Sequence, residues 1–181
     1  MSTPSSPRLY FAYGIHLHQP TMRSILKGAH MVGLARLKNH VISFHGHSAI
    51  WDGAIETVVP DKTSEVWGVL YQLTAYEWDQ LDTFQDVRLD GTGEYFHYPV
   101  EVFTEKNECV ETTLYKKAEL REPKKPSSEY LDLIIQGAIA HKLPQHYIEK
   151  LRQIETVPAS YPVPRFRKKG IPLTSDCSSC S

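Results

Sequence analysis

The 181 residues carry 20 Lys and Arg against 21 Asp and Glu, a formal net charge of −1, with 41% hydrophobic and 23% charged residues. A chain of this length holds one domain and buries a real core without disulfides or metals. The balanced charge excludes a field that would steer nucleic acid or an anionic membrane.

In chain order, residues 1–7 read as a disordered lead and "RLYFAYG" as a first strand stopped by Gly14. A short helix is expected around Met22–Lys27, then strands through Met31–Leu37 and "HVISFHG". "GAIETVVP" and "EVWGVLYQL" are β-rich, and the intervening "PDKTS" predicts a hairpin turn between them. "TAYEWDQLDTFQD" changes period. Thr74 caps it with Glu77 three residues on, and Trp78, Leu81 and Phe84 form the face expected to be buried. Strand signals return in "YFHYPVEVFTE" and "CVETTLYKKA", joined by "KNE". After the loop "REPKKPSSE", Ser127 or Ser128 caps the helix "EYLDLIIQGAIAHKL", which Pro144 ends, and "QHYIEKLRQIE" is a second helix. From Thr156 the chain turns proline-rich and basic, an extended or disordered tail. A β-rich half followed by a helical hairpin makes the fold class α+β, in one domain.

Few motifs carry chemistry. His16 and His18, with His45 and His47, offer two close histidine pairs, but zinc would need them to converge, so packed or exposed imidazoles are the expected state. The C-x-x-C of Cys177 and Cys180 lies in the serine-rich tail, far from Cys109, and reads as inert thiols. An odd cysteine count behind the polar start "MSTPSSPR", which is not a secretory signal, points to a reducing, cytoplasmic setting. No apolar run reaches the ~18–20 residues of a membrane helix. The basic "RFRKKG" reads as a solvated charge run, and no P-loop, G-x-S-x-G or G-x-G-x-x-G occurs.

Taken together, "FAYGIHL", "GLARLKNHVISFHGHS", "WDGAIETVVP", "EVWGVLYQL", "LDTFQDV" and "EYFHYPVEV" resemble, in order and spacing, the gamma-glutamylcyclotransferase family. The resemblance covers about residues 9–155. It implies a small twisted β-barrel with helices packed outside, spanning residues 8–156, ahead of a tail at 157–181. A cavity at one end would take a small gamma-glutamyl substrate with no metal or organic cofactor, no nucleic acid and no membrane; a homodimer is compatible with it. The family's Y-G-S-N-L loop corresponds to Tyr13, Gly14, Ile15, His16 and Leu17. Glycine tolerates positive φ and exposes successive N–H groups, so a backbone cradle for a carboxylate is expected there. Tyr95, Tyr115 and Tyr130 match tyrosines that line the family's pocket, whereas Trp51 and Trp67 are expected in the core.

The reaction implied by the resemblance closes 5-oxoproline by attack of a substrate α-amine on its γ-carbonyl, releasing a free amine or amino acid. The ammonium must first lose a proton, a task that suits a desolvated carboxylate. In the family that group is the glutamate of L-D-x-x-E-G, and here "LDTFQD" puts Gln85 in its place and Asp86 at the glycine. Glutamine can hydrogen-bond an ammonium but cannot take its proton. Three accounts fit: a substrate-trapping Glu→Gln replacement in an active enzyme; a carboxylate supplied instead by Asp86, Asp82 or Glu94; or a non-catalytic relative that binds a carboxylate-bearing small molecule in the same cavity.

Overall fold

The computed structural model describes residues 8–165. Five strands, β1 (Arg8–Ala12), β2 (His30–Ser48), β3 (Gly53–Leu73), β4 (Tyr95–Thr104) and β5 (Cys109–Lys117), close a barrel in the order β1-β3-β2-β4-β5. All neighbours are antiparallel except β1 and β5, which meet in parallel at Tyr10 and Thr113. Four helices accompany it: α1 (Gln19–Ile25), α2 (Ala75–Phe84), α3 (Ser128–Ala140) and α4 (Gln145–Arg152). The lead at 1–7 and the cysteines of the tail lie outside the described residues.

The second to fifth strand segments expected from sequence are two long strands, β2 and β3, of 19 and 21 residues. "PDKTS" does not reverse the chain. Asp61 does turn locally, its Oδ1 accepting from Thr63 N (2.9 Å) and Thr63 Oγ1 (2.8 Å), as turn-forming side chains do. Yet both flanks pair with β2, Pro60 with His40 and Glu65 with Lys38, so the turn is a bulge opposite Asn39 at φ 58°. Apolar residues on both flanks gain more by staying on one partner than by folding on each other: Val58, Val66 and Val69 are all fully buried.

Helix α2 begins on a complete capping box, with Thr74 and Glu77 satisfying each other's backbone N–H groups. Trp78 and Leu81 are buried as expected, but Phe84 is 40% exposed. Phe84 is the last residue of the helix and borders a cavity rather than the core, with Gln85 as C-cap and Asp86 left-handed at φ 49°. Residues 157–165, the first part of the expected tail, pack against the turn between β2 and β3. Ser160 N donates to Asp52 (2.6 Å), Tyr161 Oη to Ala49 O (2.7 Å), and Arg165 N to Ile50 O (2.7 Å).

Candidate functional site

The chain leaving β1 forms a single 3-10 turn over Ile15–Leu17, closed by Leu17 N on Gly14 O (2.9 Å). Helix α3 lies against this turn, and a Cβ at Gly137 would strike the Leu17 carbonyl, so only glycine permits the approach. Gly14 has φ −117°, so it does not supply the positive φ expected of it. Its lack of a side chain serves another purpose: a Cβ there would run into the Glu56 carboxylate. Glu56 Oε1 accepts from Ile15 N at 2.8 Å, and Oε2 accepts from the Tyr130 hydroxyl. The loop amide expected to hold a ligand's carboxylate thus holds one that the chain itself provides.

A cavity of about 550 Å³ opens beside this turn, walled by Ile15, Trp51, Gln85, Glu94, Tyr95 and Tyr130 among others. Four residues singled out from sequence, Ile15, Gln85, Tyr95 and Tyr130, therefore share one space. Gln85 is placed there by the end of α2, where its N–H bonds Leu81 O (2.8 Å). Asp86 then turns the chain back, its carbonyl accepting from Glu94 N (2.9 Å). Tyr95 donates to the Glu56 carbonyl at 2.7 Å. Trp51, expected in the core, is buried and also faces the cavity, its ring centroid 4.7 Å from that of Tyr130. Ser127 Oγ fixes it by donating to Trp51 O.

The other expected site residues do not border this space. Tyr13 is buried, and its hydroxyl donates to Tyr115 O (2.7 Å). Leu17 is buried under α3. Tyr115 donates to Asp82 Oδ1 (2.6 Å), where His97 Nε2 also lies at 2.6 Å. That carboxylate ties α2 to β4 and β5 and is thereby unavailable to the cavity. The histidine pairs do not converge. His16 is buried, Nδ1 paired with Tyr10 Oη (2.6 Å), and burial lowers its pKa to about 4, so it is neutral. His18 pairs with Thr21, and His45 with Ser43 and the Arg121 carbonyl. Among the described residues no group of three or more His, Cys, Asp or Glu side chains is arranged to hold a metal.

Sequence reasoning missed Glu56. It is the one carboxylate buried among the described residues, 5% exposed. Burial raises its pKa, opposed by the hydrogen bonds from Tyr130 and Ile15 and, more weakly, by the Lys117 charge. The surrounding phenols of Tyr13, Tyr95 and Tyr130 are raised by burial first and by Glu56 second, and stay neutral. Glu94 and Asp86 face the same cavity from its open side, Glu94 paired with Lys117 and Asp86 with Arg88 (2.8 Å). The available signal was a lone charge in the otherwise uncharged run "GAIETVV".

Residues 65–151 match the model of the AIG2-like family. The gamma-glutamylcyclotransferases of Homo sapiens and Bos taurus are each 30% identical over 151 residues, covering 81% of this chain and 78% of theirs. A solved gamma-glutamyl cyclotransferase superposes with a TM-score of 0.80 at 30% identity, over 86% of this chain and 92% of the other. The closed barrel, its outer helices and this extent of identity have one reading: the chain belongs to the gamma-glutamylcyclotransferase family.

Proposed function

We propose that the chain is an enzyme of gamma-glutamylcyclotransferase type, acting on a small gamma-glutamyl compound and releasing 5-oxoproline and an amine or amino acid. The observation that carries this is one cavity gathering the Ile15 turn, Gln85, Tyr95 and Tyr130. Its volume suits a dipeptide-sized ligand. Trp51 and Tyr130 offer an aromatic wall, while the acidic groups around it favour a ligand's ammonium. Gln85 accepts a hydrogen bond from that ammonium and positions it without taking a proton.

Release of 5-oxoproline from a panel of gamma-glutamyl amino acids and amines tests the reading, with the chain as it stands and with Gln85→Glu. Turnover by either protein supports cyclotransfer. Silence from both, with folded protein, rejects it. A second reading, a binding protein without catalysis, is favoured by Gln85 itself; it expects saturable binding of the same compounds and no product from either protein.

A further inference from the structure

A carboxylate missing from one position of a cavity can be supplied from another, provided it is shielded from water and linked to the space where the reactive amine sits. Asp82 is excluded by its bonds to Tyr115 and His97. Asp86 and Glu94 are about half exposed and engaged by Arg88 and Lys117. Both are open to water rather than shielded from it. Glu56 is buried, and although the Lys117 charge also acts on it weakly, both its bonds come from residues of the cavity wall. It projects from β3 into the wall formed by Ile15 and Tyr130, both of which line the cavity and both of which bond its carboxylate.

Resting on the cyclotransfer reading, we propose that Glu56 is the proton acceptor of this chain, reached from the cavity through the Tyr130 hydroxyl. The substrate ammonium passes a proton to Tyr130 Oη as the Tyr130 proton moves to Glu56 Oε2. The freed amine forms a bond to the γ-carbonyl carbon. As the carbon–nitrogen bond to the leaving amine breaks, the Glu56 proton returns through Tyr130 to the leaving nitrogen. The ring nitrogen's surplus proton goes to the released amine, so the reaction closes with no net proton change. Tyr130 touches substrate, and Glu56 sets the direction of transfer behind it. Burial readies the pair for this, because a carboxylate poorly solvated as an anion accepts a proton more readily near neutrality.

Four proteins decide the matter in the 5-oxoproline assay: the chain itself, Glu56→Gln, Gln85→Glu and the double variant. The expected result is turnover by the chain, a fall in kcat of about 10²–10⁴ in Glu56→Gln with KM little changed, and recovery in the double variant. Recovery separates proton transfer from a merely structural role, since a carboxylate at 85 does not rebuild the Glu56 contacts. The acid limb of the kcat profile should vanish in Glu56→Gln. Tyr130→Phe, which keeps the ring over Trp51, should also lower kcat at least tenfold, and it decides the question if Glu56→Gln does not fold. Unchanged turnover in Glu56→Gln or in Tyr130→Phe overturns the proposal. A silent chain beside an active Gln85→Glu overturns it while leaving cyclotransfer standing. Silence from both removes the cyclotransfer reading, and this proposal with it.

Discussion

Two carboxylates, 26 residues apart, show how differently one barrel can use the same group. Asp82, on α2, is partly open to solvent and receives Tyr115 and sits against His97, a cluster joining a helix to two strands. Glu56, on β3, is buried beside the cavity and receives one backbone amide and one phenol. The first is held by a phenol and an imidazole from two different strands, so it serves as an anchor. The second is held where charge is costly, and a costly buried charge is retained in folded proteins mainly where something else requires it.

The largest expected effect tests the contact that makes Glu56 unusual. Gly14→Val pushes a side chain into the carboxylate and should cost about 3 kcal/mol by urea unfolding, a typical overpacking penalty. Combined with Glu56→Ala, the cost should fall well short of the sum of the two; additivity would mean that Gly14 and Glu56 do not share that space.

Next comes pH, where two buried groups of this region oppose each other. His16 titrates near 4 folded and near 6.5 unfolded, so between these values the unfolded chain binds more protons. Its contribution is complete above 6.5 and is lost as pH falls toward 4, on the order of 2–3 kcal/mol. Glu56 is raised above 4.5 in the fold, so its contribution is present at low pH and is lost as pH rises through its folded pKa. His16→Gln, which still offers Tyr10 an acceptor, should flatten the acid-side loss, and Glu56→Gln should make it steeper. A wild-type slope unchanged by His16→Gln would show that this imidazole binds its proton as readily in the fold as in the unfolded chain.

On the anchor side, Asp82→Asn should cost about 2 kcal/mol, the scale of hydrogen bonds to a charged group, and should loosen α2 from β4 and β5. Hydrogen exchange would show the loss as faster opening of the last turn of α2, which carries Gln85. Glu56→Gln should leave that turn unaffected. The smallest effect belongs to the other end of the same helix: Thr74→Ala removes the capping box and should cost about 1 kcal/mol. If Thr74→Ala moves Gln85 as much as Asp82→Asn does, the anchor is not what places the C-cap.

Local pattern made much of this legible. The capping box at Thr74 and the burial of Trp78 and Leu81 follow from spacing alone, because each depends on residues within a turn or two. Helix α3, by contrast, ends at Ala140 on the cap residue His141 and not at Pro144, which instead opens α4. The resemblance led to the turn after β1 and to positions 85, 95 and 130, all of which reach the cavity wall through Ile15, Gln85, Tyr95 and Tyr130. Phe84 and "PDKTS" went otherwise. Phe84, the last residue of α2, borders the cavity rather than the core, and the turn preference of "PDKTS" was overridden by the pairing of both its flanks with β2.

The sequence by itself determined the class of fold, the family, the capped helix α2 and the absence of a carboxylate at position 85, since these rest on residue identity and short spacing. Only the tertiary structure decided where a carboxylate would instead be found. Glu56 meets Ile15 from 41 residues away and Tyr130 from 74. Nothing in the period of an apolar strand announces that closure of the barrel will bring those three together out of water. Burial, and with it the chemistry available to the group, is a property of that closure.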